Sequence, residues 1–117
     1  MLTAFGTSVT TAFAADGTLH FNSGETIAYG DYYTTRMTFD GENTAYCLEP
    51  LKKTPAAGEY EYNLLPQDSP IRKALYYLNG GYGYETITRD QCFHGWSDTD
   101  AYVIGHLTVA YIYDNYN

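Results

Sequence analysis

Basic residues are scarce in this chain. Six lysines and arginines stand against fourteen aspartates and glutamates, a formal net charge of −8 over 117 residues. A surface of that sign repels phosphates, which excludes nucleic acid and anionic membrane as partners. Cysteine is scarcer still, with only Cys47 and Cys92. Together with three scattered histidines and no CxxC pair they make no zinc site, so neither a metal nor a cofactor is expected. The two cysteines leave two readings open: one disulfide, or a free thiol kept for chemistry. Repeats and low-complexity tracts are missing as well.

The first fifteen residues lack any charge. Met1 to Ala15 is rich in small and apolar residues and ends Ala12-Phe13-Ala14-Ala15 before Asp16. That is the apolar core and small-residue cleavage site of a secretory signal, without its basic leading region. It is too short and too polar to cross a bilayer. The expectation is a signal-peptide remnant over 1–15, export of the chain, and a single module over 16–117. A chain of this length holds one modest core.

What is abundant is tyrosine, at fourteen residues. Its ring is apolar and its tip polar, so it suits strands, cores and binding surfaces alike. From Thr18 to Phe39 the pattern is strand-like. Leu19 and Phe21 alternate with His20 and Asn22, Thr26 to Tyr29 forms a second run, and Tyr33, Thr35, Met37 and Phe39 predict one face of a third. Asp40-Gly41-Glu42-Asn43 has the length and chemistry of a hairpin loop. The returning strand is expected over Thr44 to Leu48, with Ala45 and Cys47 on one face and Tyr46 and Leu48 on the other. Glu59 to Asn63 reads as a short, half-exposed strand.

Two helices follow. Ser69 is an N-cap, Pro70 fits the first helical position, and Gly80-Gly81 is a stop, which predicts a helix over about 70–79 with Ile71, Ala74, Leu75 and Leu78 inward. Gly80 to Trp96 reads as irregular. Ser97-Asp98-Thr99-Asp100 then caps a helix over about 99–114, with Val103, His106, Leu107, Ala110 and Tyr113 on one face. The fold class is therefore α+β: an antiparallel β portion over about 18–63 with two helices packed against it. The chain stops just past the last helix, so the module is expected to be truncated at its C-terminal end.

Chemistry concentrates at Tyr46-Cys47-Leu48-Glu49-Pro50, where a cysteine closes the hairpin strand. Cys47 with His106 is the candidate reactive pair, and His94 is the other imidazole to consider. A thiol beside an imidazole is a nucleophile when held as thiolate. Cys47, however, sits on a strand and lacks the helix N-terminus that lowers a catalytic thiol's pKa, so a Cys/His hydrolase is the weaker alternative.

The segment from Tyr46 to Pro50, the run Ala74-Leu75-Tyr76-Tyr77 before Gly80-Gly81, and the helix from Asp100 to Tyr113 come in the order and spacing that resemble thioester domains of Gram-positive surface adhesins and pilus-tip proteins. The resemblance covers roughly Glu42 to Asn117. It implies a cell-surface or cell-wall module of a larger protein, monomeric, that attaches to a host or neighbouring surface protein. It also implies an internal thioester, formed when the cysteine thiol condenses with a glutamine carboxamide on the later helix and ammonia leaves. A host amine then attacks that bond. Here the family's glutamine position falls on His106, whose ring has no acyl carbon. The only glutamines are Gln67 and Gln91, both in predicted loops. The leading expectation is a binding module without a Cys47 thioester. The alternatives are a true thioester adhesin reacting through Cys47, with Gln91 or a residue beyond Asn117 as acyl donor, the hydrolase, and a stalk domain held by a Cys47–Cys92 disulfide.

Overall fold

The computed structural model describes residues 15–49 and 52–116. All but Ala15 of the expected signal segment, together with Pro50, lies outside the described residues. The chain runs β1 (Gly17–Tyr29), β2 (Tyr32–Phe39), β3 (Asn43–Ala45), β4 (Gly58–Tyr62), α1 (Pro70–Tyr77), a π-helical turn (Tyr84–Thr88), α2 (Arg89–Cys92) and α3 (Asp98–Tyr116). The four strands form one antiparallel sheet in the order β3-β2-β1-β4. The α+β architecture expected from the pattern is the one observed.

The two runs expected between Thr18 and Tyr29 are one long strand with a bulge. From Ser23 to Thr26 β1 advances three residues, while its partner β2 advances two, from Met37 to Thr35. One extra residue inverts the in–out alternation of everything beyond it. Phe21, before the bulge, packs with Leu19, Met37 and Ala45. Ile27, after it, joins a different cluster made of Tyr46, Leu48, Ile71, Leu75, Leu78, Tyr102 and Val109. β2 carries no extra residue, so Tyr33, Thr35, Met37 and Phe39 share one face as expected. What changes along the strand is which face is covered: Met37 is buried on that face, Thr34 is buried opposite Ile27 on the other, and Tyr33 is 70% exposed.

β3 ends at Ala45, three residues short of the expected strand. The alternation nevertheless persists into the coil that follows. Ala45 and Cys47 pack in the Leu19 cluster, and Tyr46 and Leu48 in the other. β3 is an edge strand of three residues, and α3 ties its end down through the Tyr102 hydroxyl, which donates to the Ala45 carbonyl.

α1 begins where the caps predict. The Ser69 hydroxyl accepts from the Arg72 amide, Pro70 opens the helix, and Ile71, Leu75 and Leu78 are buried. Gly80, at φ +95°, turns the chain away, and a Cβ there would run into the Thr44 side chain. The stretch expected to be irregular is instead helical over Tyr84–Cys92, with Tyr84 buried beneath the Arg89 guanidinium.

α3 starts at Asp98 with the Ser97 hydroxyl accepting from the Asp100 amide. Its buried stripe is rotated from the expected one. Tyr102, Gly105, His106 and Val109 are inward, whereas Leu107 is 43% exposed. Gly105 explains the rotation. A Cβ at that position would fall on the Tyr46 hydroxyl, so the helix presents its one residue without a side chain to the Tyr46 ring. Tyr46 and Tyr102 then stack, centroids 4.9 Å apart at 16°.

Candidate functional site

The local backbone after β3 and the rotation of α3 decide what can meet. Tyr102 is fully buried and works as a peg. Its hydroxyl accepts from the Met37 amide at 3.2 Å and donates to the Ala45 carbonyl at 2.8 Å, with the Thr35 carbonyl also at 3.2 Å. Helix α3 is thereby fixed to β2 and β3 at one point. The Arg36 guanidinium lies 4.8 Å from the same ring. Burial pushes the Tyr102 phenol up to about 12, so it stays protonated and able to donate.

One helical turn beyond Tyr102 is His106, 1% exposed. Its Nε2 lies 3.2 Å from the Tyr29 hydroxyl at the end of β1, and the two rings meet edge to face at 5.8 Å. Its Nδ1 is buried and, among the described residues, has no hydrogen-bond partner. Removal from water disfavours the imidazolium and holds the His106 pKa below its ordinary value, so the ring is neutral at neutral pH.

Cys47 is half-buried, two residues past the end of β3. Its thiol donates to the Glu49 carbonyl at 3.2 Å. Burial raises its pKa, the Glu49 carboxylate adds to the rise, and the bond to the Glu49 carbonyl works against it. The group is a thiol, not a thiolate, at neutral pH. Glu49 is itself held by an ion pair with Lys52 and by the Tyr113 hydroxyl at 3.5 Å, a contact that links this segment to the last turns of α3.

A cleft of about 170 Å³ separates and joins these groups, lined by Thr34 and Thr35 of β2 together with Cys47, Lys52, Thr54 and His106. The structure thus brings Cys47 and His106 to one cavity. Among the described residues no hydrogen bond joins them. Their polar bonds run away from each other, to Glu49 and to Tyr29. His94, Gln91 and Cys92 are exposed and are not part of this lining. Both cysteines are free, which corrects the disulfide considered for Cys47 and Cys92. No group of three or more histidine, cysteine or acidic side chains among the described residues is placed to hold a metal ion. No described helix is long and apolar enough to cross a membrane.

Sequence periodicity found His106 but passed over Tyr102 and Tyr29, which position it. Tyr102 had a signal: it lies four residues before His106, on the same helical face. Tyr29 had none, because its approach to His106 depends on how far the bulge turns β1.

Comparison with known proteins gives one positive result. A family model described as "Thioester domain" matches residues 18–117, almost the whole chain and all of the described sheet beyond its first residue. No curated protein matches the chain, and no solved structure does.

Proposed function

This chain belongs to the thioester-domain family, and from that membership we propose that it is a secreted or cell-wall-associated adhesion module that keeps the family scaffold without a Cys–Gln thioester at Cys47. The observation that carries this reading is the identity of the side chain that α3 presents to the Cys47 cleft. It is His106, not a glutamine. Thioester formation joins a cysteine sulfur to the side-chain carbonyl carbon of glutamine and releases ammonia; an imidazole offers no such carbon. Gln67, in the loop before α1, and Gln91, on α2, are exposed, and neither lines the cleft.

The protonation states argue against the hydrolase alternative. A cysteine nucleophile of that kind is a thiolate beside an imidazolium. Here burial raises the thiol and lowers the imidazole, so both groups are neutral. Attachment to a host or neighbouring surface protein then rests on non-covalent contacts. The exposed tyrosines suit that role, since each offers a rigid apolar ring with a polar tip at small entropic cost. Tyr76, Tyr77 and Tyr82 lie against one another on the surface near the end of α1, with Tyr76 and Tyr77 meeting edge to face at 4.8 Å.

Intact mass of the purified chain tests the reading. The expected mass is that of the reduced sequence, unchanged by methylamine. A mass short by one ammonia that gains one methylamine, leaving a free Cys47 thiol and a glutamine heavier by one methylene, would establish the covalent adhesin instead.

A further inference from the structure

A second cleft, of about 310 Å³, lies between the tip of the β2–β3 hairpin and the C-terminal end of α1. We propose that it is a binding site for a neutral saccharide, recognised by the side-chain carboxamide of Asn79 with the Thr44 hydroxyl as second partner. The inference does not rest on the fate of Cys47, which lines the other cleft.

Asn79 follows directly on Leu78, the C-cap of α1, and is only 5% exposed. Its backbone is firmly held, because the Tyr46 hydroxyl donates to its carbonyl at 2.6 Å. Its side chain is not. Among the described residues its Oδ1 is buried without a hydrogen-bond partner. A buried carbonyl oxygen left without a partner is destabilising, and folding alone gives no reason to keep it. Gly80 brings Thr44 directly against this turn, so the Thr44 hydroxyl and the Asn79 carboxamide face one cavity.

The chemistry of the lining selects the ligand. Phe39, Asn43, Thr44, Tyr46, Leu75 and Asn79 include no acid, lysine or arginine. A charged ligand would lose its hydration there and find no counter-charge. A carboxamide accepts and donates at once, and neighbouring hydroxyls on a sugar ring return both bonds. Phe39, Tyr46 and Leu75 supply apolar surface for the C–H face of the same ring. The volume is at the small end of the range for small-molecule sites, about 300–1,000 Å³, which suits a single ring or a chain end.

The test is a titration of the full chain with uncharged hexoses and N-acetylhexosamines, following the Asn79 side-chain and Thr44 backbone resonances by NMR. At least one neutral sugar is expected to move both signals with a millimolar dissociation constant, while uronic acids and amino sugars leave them in place. Asn79→Leu removes the unpaired carbonyl oxygen at similar size. It is expected to fold at least as stably as the parent and to bind about tenfold more weakly or less. Thr44→Val keeps the shape and removes one hydrogen bond, for a loss of about fivefold. Three results overturn the proposal: no neutral sugar moves these signals, affinity is unchanged in Asn79→Leu, or short uncharged peptides bind where sugars do not. If Asn79→Leu fails to fold, Thr44→Val decides, and undiminished affinity in that variant overturns the proposal equally.

Discussion

The Tyr102 hydroxyl donates to the Ala45 carbonyl at 2.8 Å, across 57 residues of sequence. Ala45 is the last residue of β3, so the bond ties the edge of the sheet to the helix that carries His106. The same oxygen accepts from Met37 on β2. Cys47 lies two residues beyond this tie, and its place in the cleft depends on it.

Replacing Tyr102 by phenylalanine keeps the ring and its stack on Tyr46 but leaves the Met37 amide and the Ala45 carbonyl without this partner. Each buried group so exposed to loss costs about 1–3 kcal/mol, partly relieved by relaxation. We expect Tyr102→Phe to lower stability by about 2–3 kcal/mol, seen in urea as a lower midpoint at unchanged slope. A loss below about 0.5 kcal/mol, the level of an ordinary surface substitution, would show that the hydroxyl is not the tie described.

How far the sequence foretold this arrangement depends on what each feature needs. The layout of sheet and helices is legible because it rests on local signals: alternation at Leu19 and Phe21, the cap at Ser69 and Pro70, the cap at Ser97. The split of Ala45 and Cys47 from Tyr46 and Leu48 is legible for the same reason and survives the end of the strand. The bulge left a weak signal, Gly24 inside a strand pattern, but such a glycine also reads as a break between two strands, and only the register with β2 shows the extra position. The rotation of α3 escapes notice because Leu107 is as apolar as Val109. It is the contact of Gly105 with Tyr46, a residue 59 positions earlier, that chooses between them. Asn79 escaped for a similar reason, its burial being set by the hairpin that packs over it.

Gly105→Ala separates helix propensity from packing. Alanine is favoured over glycine in a helix interior by about 1 kcal/mol. Here the new methyl would overlap the hydroxyl end of Tyr46, which cannot retreat because it is stacked on Tyr102 and bonded to the Asn79 carbonyl. Overpacking of that kind costs about 1–3 kcal/mol, so we expect net destabilisation by thermal melting. Combining it with Tyr46→Phe, which removes the nearest oxygen, is expected to recover part of the loss, a coupling of about 0.5 kcal/mol or more. A stabilised Gly105→Ala would show that the helix has room to shift.

The two thiols are expected to react at different rates. Cys92 is exposed, while Cys47 is half-buried, bonded to the Glu49 carbonyl and raised in pKa by its burial. Only the thiolate is nucleophilic, so iodoacetamide at neutral pH should label Cys92 faster than Cys47 by about tenfold or more. Peptide mapping over a time course reads the ratio. Faster labelling of Cys47 would mark it as an activated thiol and revive the hydrolase reading.

His106 sets the sign of the acid response. Its folded-state pKa lies below the ordinary value because the ring is buried, with Tyr29 on Nε2 and, among the described residues, no partner on Nδ1. Unfolding returns it to about 6.5. Below that pH the unfolded chain binds a proton that the folded chain resists, so stability falls as pH falls from about 6.5 through the folded pKa, and is fully present above it. The groups around the ring do not reverse this sign, since Tyr29 stays neutral and Lys52, across the cleft, is a cation that disfavours a second positive charge. His106→Phe removes the titration while keeping an aromatic ring. Urea midpoints taken from neutral pH down to about pH 5 should fall more steeply in the parent than in this variant. Parallel curves for the two proteins would mean that His106 charges freely, and that Nδ1 reaches a partner in solution.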